Sequence, residues 1–100
     1  MFQKILIDLG TISHNEEYTI VFPYENIHQI TQTVASCGCS RVYNKALEQQ
    51  IVVIYKPNPV PQHLANKGYY SVSKHIDVSY IEIANEETKT IRLTFSAVVK

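Results

Sequence analysis

The stretch Thr90-Ile91-Arg92-Leu93-Thr94-Phe95-Ser96-Ala97-Val98-Val99 decides the fold. Ile91, Leu93, Phe95, Ala97 and Val99 fall on one parity, and Thr90, Arg92, Thr94 and Ser96 on the other. Successive side chains of a strand point to opposite faces, so this pattern predicts a strand with one face in a core and one in water. The same period of two runs outward through the chain. Tyr70, Val72, Ile76, Val78 and Tyr80 share a face opposite Ser71, Ser73, His75, Asp77 and Ser79. Ile81 and Ile83 then change parity, which predicts a bulge or a strand exit.

Upstream, Ile5, Ile7 and Leu9 share one face of a first strand, expected to close at Gly10. Tyr18, Ile20, Phe22 and Tyr24 share a face of a second, and Pro23, which has no amide donor, predicts an edge strand or its end. A third segment covers about Ile27 to Ser36, with Ile30 and Val34 in phase. Ile51 to Tyr55 is continuously apolar, as in a strand covered on both faces. Pro57, Pro59 and Pro61 stop that strand and open the longest irregular stretch, which ends near Gly68.

Composition agrees. Val and Ile outnumber Leu and Ala 22 to 10, and seven Thr, seven Tyr and three Phe further favour a pleated, half-buried surface. The prediction is an all-β fold: an immunoglobulin-like antiparallel β-sandwich of about seven strands in a single domain over residues 1–100, with a small barrel as the other candidate. Apolar content of 45% excludes a disordered chain. Nine Lys+Arg against nine Asp+Glu cancel, so neither nucleic acid nor a membrane is an expected partner. The first residues lack the apolar core and cleavage site of a signal peptide. The expectation is a complete gene product kept inside a cell, with its two cysteines as thiols.

Four groupings could carry chemistry. Cys37-Gly38-Cys39 is compatible with a redox dithiol or half of a metal site, and equally with two small cysteines at a strand end. A disulfide between them would require a sharp turn, because i and i+2 of a strand lie beyond bridging reach. His14, His28, His63 and His75 are scattered, and no further paired-ligand motif completes a zinc site. Ser73, His75 and Asp77 share a strand face at about 7 Å intervals, too far apart for two short hydrogen bonds in series. The Glu16-Glu17 and Glu86-Glu87 pairs sit in turns, where charge is readily solvated. No enzyme activity and no cofactor are expected. Seven Tyr without Trp favour protein contacts instead, and the candidate interface residues are Tyr69, Tyr70, Pro59 and Pro61, with core packing open for one of the tyrosines.

The order of features resembles the Cys-Gly-Cys immunoglobulin-like domains of unknown function common in Bacteroidetes and related to hydin-type domains. The matching elements are Phe22-Pro23-Tyr24-Glu25-Asn26, Ile30 and Val34, Ser36-Cys37-Gly38-Cys39-Ser40, Ile51 to Tyr55, Gly68-Tyr69, and Ile91 to Val99. They span roughly residues 3 to 99. The resemblance makes Asn26, Cys37, Gly38 and Cys39 structural motif positions and carries over no catalytic residue. Two positions depart from the pattern: His28 replaces a glycine, and Leu47-Glu48-Gln49-Gln50 replaces a Pro-Gly lead-in.

A domain of this size is also similar to small accessory proteins of tailed phages, the auxiliary capsid proteins of crAss-like phages among them. That likeness implies a structural virion component, in the capsid or the tail, binding the major capsid protein or another virion protein in many copies. The alternatives are an interaction module in the bacterial cytoplasm, docking through an edge strand or the proline-rich loop, and a thiol redox or metal-binding protein.

Overall fold

The computed structural model describes residues 2–36, 38, 40–83 and 87–100. Seven strands follow one another: β1 (Leu6–Ile12), β2 (Tyr18–Pro23), β3 (Ile27–Ala35), β4 (Ser40–Lys45), β5 (Gln50–Tyr55), β6 (Tyr70–Glu82) and β7 (Thr88–Val99). Short 3₁₀ turns at Ala46–Glu48 and Gln62–Leu64 are the remaining regular elements among the described residues. The strands form two sheets, β1-β7-β6-β3 and β2-β5-β4. Lettered A to G in chain order, these are A-G-F-C and B-E-D. That is the immunoglobulin-like arrangement, with the first strand carried on the sheet of the last.

The β6–β7 hairpin is the frame. Its antiparallel register runs without interruption from Tyr70–Val99 to Ile81–Thr88. Strands of 13 and 12 residues extend roughly 40 Å at 3.3–3.4 Å per residue. They account for most of the 52 Å long axis of a molecule only 20 by 19 Å across it. Alternation does what the sequence implied: Ile76, Val78, Leu93, Phe95 and Val99 are fully buried. They meet Ile20, Phe22, Ile51, Val53 and Tyr55 of the opposite sheet in one continuous core. Tyr55 and Phe95 stack edge to face across it, with ring centroids 5.0 Å apart.

Bulges decide which side several apolar residues face. In β1, register slips between Asp8 and Thr11. Gly10 takes φ +71° there, and its N–H bonds the Asp8 carboxylate at 2.8 Å. The strand therefore does not close at Gly10. It passes through a bulge that turns Ile12 into the core. In β3, slips between Ile27 and Gln29 and between Ile30 and Gln32 break the assumed phase of Ile30 with Val34. Ile30 packs against the core, whereas Val34 is 49% exposed. The parity change near Ile81 proves to be a strand exit: β6 keeps its register with β7, and Ile83 lies in a turn.

Pro23 ends an edge strand, as expected from its missing donor. One pairing departs from an all-antiparallel sandwich, since β1 runs parallel to β7. The chain enters on the other sheet, where Phe2 bridges Tyr24 and the Gln3 amide donates to the Pro23 carbonyl. It then crosses to β7, where the Thr94 amide donates to the Ile5 carbonyl at 2.8 Å. Phe2 packs against Tyr24 and Tyr80 at 5.4 and 6.1 Å, closing that end of the core.

Two substitutions test this account. Phe95→Ala leaves a cavity between the sheets and is expected to cost about 3–5 kcal/mol in chemical denaturation. Gln49 holds φ +54° at the lead-in to β5, a conformation that costs a non-glycine residue roughly 1–2 kcal/mol. Gln49→Gly should raise the denaturation midpoint, gaining up to about 1 kcal/mol after the extra flexibility of the unfolded chain is subtracted.

Candidate functional site

The two outer faces differ in character. On β6 and β7 the outward positions are largely polar, while Leu6 on β1 and Val34 on β3 leave exposed apolar side chains at the two edges of the same face. Register sets Ser73 beside Ser96, His75 beside Thr94, Asp77 beside Arg92 and Ser79 beside Thr90. The Asp77 carboxylate accepts two hydrogen bonds from the Arg92 guanidinium, at 2.9 and 3.3 Å. These bonds hold the Asp77 carboxyl below the usual carboxylate range and raise the Arg92 guanidinium. Asp77 is thus committed to Arg92 across the strand, and the Ser73-His75-Asp77 series forms part of a hydrogen-bonded polar surface.

The outer face of β2-β5-β4 is different. Ile51, Val53 and Tyr55 of β5 point into the core, so Val52 and Ile54 point out. Val52 is flanked in register by Val21 on β2 and Tyr43 on β4. Ile54 is flanked by Thr19 and Arg41. The apolar run was expected to be covered on both faces. Among the described residues no strand or helix lies over the outer one. Val52 is nevertheless only 6% exposed, with Val21 and Tyr43 in register on either side of it. Tyr43 is 46% exposed. On this outer face Tyr43 is thus the exposed apolar side chain, with Val21 and Ile54 half-buried beside a buried Val52.

One end of the sandwich gathers the β1–β2, β3–β4 and β5–β6 loops around a cleft of about 670 Å³. His14, Asn15, Glu17, Gly38, Arg41, Lys56, Pro57, Asn58 and Pro59 line it. Arg41 pairs with Glu17 at 3.3 Å, both side chains being more than half exposed. The His14 Nδ1–H donates to the Lys100 carbonyl at 2.8 Å. Tyr18 fixes the β1–β2 loop: its hydroxyl accepts from the Ser13 amide and donates to the Glu16 carboxylate.

Several sequence-predicted residues meet near this end. The Tyr70 hydroxyl donates to the Asn58 carbonyl, tying the proline-rich loop to the start of β6. Tyr70 packs against the core, and burial pushes its phenol up from its ordinary value. Tyr69 is 46% exposed. Pro59 is exposed and lines the cleft, and Pro61 is half-buried. Asn26 lies away from the cleft, between β2 and β3. It adopts φ +60°, and its carbonyl accepts from the Ile83 amide, a turn role that suits asparagine. Cys37 and Cys39 lie outside the described residues.

The histidines occupy separate elements: His14 in the β1–β2 loop, His28 on β3, His63 in the β5–β6 loop and His75 on β6. Among the described residues no three His, Cys, Asp or Glu side chains come together as metal ligands. No helix is long and apolar enough to cross a membrane. The sequence reading named neither β4 nor the outward row. β4 buries no residue, so its alternation is faint. The signal for the row was the unbroken apolar run of β5 itself, beside an edge strand containing Pro23.

The fold therefore defines an immunoglobulin-like sandwich whose outer faces both carry some apolar residues, with a charged cleft at a loop end. The chain matches no family model, no curated protein and no solved structure.

The Asp77–Arg92 pair has a direct test. In Arg92→Gln, the Asp77 carboxyl should titrate at higher pH than in the parent chain, followed by NMR. Because the pair lowers the folded-state value, its stabilisation is present above the unfolded Asp value and lost as pH falls through the folded one. The variant should therefore be less stable than its parent above the unfolded Asp value, with the difference closing as pH falls through the folded one, while Ser73→Ala should leave the Asp77 titration in place.

Proposed function

We propose that this chain is a non-enzymatic structural module that docks on a protein lattice in many copies, as an auxiliary virion protein of the capsid or tail does. The observation that carries the reading is the apolar cluster on the outer face of β2-β5-β4, where Tyr43 is exposed and Val21 and Ile54 are half-buried around a buried Val52. Exposed apolar strips with polar surroundings mark interaction surfaces.

Size favours a repeated contact over a stable pair. Two rows across three strands span roughly 200 Å² at ordinary strand spacing. A stable pairwise complex buries about 800 Å² on each partner. A strip this small holds weakly on its own and gains effective affinity when many copies engage one assembly. The likeness to auxiliary capsid proteins supports a virion as that assembly, with the major capsid protein or another repeated virion protein as partner. Zero net charge suits a role among protein partners.

The test is quantitative mass spectrometry of purified virions from a phage carrying this gene. The chain is expected in many copies per particle, and its absence from particles would overturn the reading. Val21→Lys and Tyr43→Glu sit at the rim of the row. Both are expected to fold, with circular dichroism unchanged, while incorporation falls by about tenfold or more.

A further inference from the structure

The charged cleft and the apolar row are parts of one surface. Arg41 lies in register with Ile54 on the outer face of β2-β5-β4. Glu17 immediately precedes β2 and Lys56 immediately follows β5, and both line the cleft beside Arg41. Along β5, Val52, Ile54 and Lys56 therefore step from the apolar row into the cleft at about 7 Å intervals.

The cleft carries an excess of positive charge. Among the described lining residues, Arg41 and Lys56 are the permanent cations and Glu17 the carboxylate. Glu17 uses one oxygen on one nitrogen of Arg41, and a guanidinium has five N–H donors. Lys56 is exposed. Pro57 and Pro59 line the wall beside it. Their fixed backbone angles hold that wall in shape without a ligand. A shallow, polar, cationic opening of this kind suits a carboxylate on an extended chain better than an enclosed apolar molecule.

We infer that the outer face of β2-β5-β4 binds an extended acidic segment of a partner protein, with apolar side chains against Val21, Tyr43 and Ile54 and carboxylates in the Arg41–Lys56 cleft. This rests on the reading of the apolar row as a docking face and adds the chemistry of what docks. Charge complementarity sets the direction in which the segment lies, because its acidic end must point toward the loops. Lys56, exposed at the mouth of the cleft, meets the carboxylate first. Arg41 shares itself between Glu17 and the incoming group.

The experiment is an NMR titration of the isotopically labelled full chain with two short synthetic peptides. Both alternate Val and Thr; one ends in a run of Glu and the other in Gln. The Glu-ended peptide is expected to shift the amides of Asn15, Gly38, Lys56 and Asn58 saturably, together with those of Val52 and Tyr43. It should bind about tenfold or more tightly than the Gln-ended peptide, with the difference shrinking as salt rises.

Lys56→Gln combined with Arg41→Gln should erase that difference. Arg92→Gln, which removes a cation from the opposite sheet, should preserve it. If both peptides shift the row equally, the acidic-segment inference fails and the docking face stands. If neither shifts it, both fail. Equal weakening by Arg92→Gln, or displacement of the Glu-ended peptide by an equal concentration of single-stranded DNA, would reveal unspecific attraction and overturn the inference.

Discussion

The unbroken register between β6 and β7 is the constraint on which the rest of the structure depends. From Tyr70–Val99 to Ile81–Thr88 every residue has a fixed partner. Every inward side chain of the hairpin therefore falls on one parity. Ile76, Val78, Leu93, Phe95 and Val99 form a continuous fully buried floor, and the shorter strands β2 and β5 set Ile20, Phe22, Ile51, Val53 and Tyr55 upon it. A one-residue slip would move that whole floor into water. Register and core burial thus enforce each other.

The edges are managed by irregularity. β1 and β3 flank the long hairpin, and both carry bulges. Gly10 supplies the positive φ that one bulge requires. Each bulge inserts a residue that changes which side the following side chains face. Ile12 is turned inward and Val34 outward as a result. The incoming chain adds a further seal, because Phe2 lies against Tyr24 and Tyr80 before the chain crosses to β7. Bulges also leave an edge strand a poor template for unwanted pairing.

The proposed docking draws on how the two outer faces differ. The β6–β7 hairpin turns Ser, Thr and the Asp77–Arg92 pair to solvent, while Leu6 and Val34 stand exposed on the flanking edge strands. The three-stranded sheet has Val52 at its centre, flanked in register by Val21 and Tyr43, and grades through Ile54 into the charged loop end. An apolar strip running into a cationic cleft has both a driving force for contact and a means of orienting it. Chemistry on the sandwich is concentrated where loops meet, as is usual for a rigid β scaffold.

Strong, regular alternation was legible in the sequence: the inward faces of β6 and β7, the strand at Tyr18 to Pro23, the apolar β5, and hence the two-layer all-β class. Period-two patterning reports directly which side chains leave water, so those residues could be assigned without coordinates. β4 was not legible, because an edge strand that buries none of its residues carries almost no alternation. Nor was the cleft, whose walls come from Glu17, Arg41 and Lys56, far apart in the chain and joined only when β2, β5 and β4 align. The sequence by itself determined which residues must be buried. Only the tertiary structure decided which apolar residues remain outside, as with Val34 beyond its bulge and the Val52 row, because that choice depends on the neighbour each strand acquires.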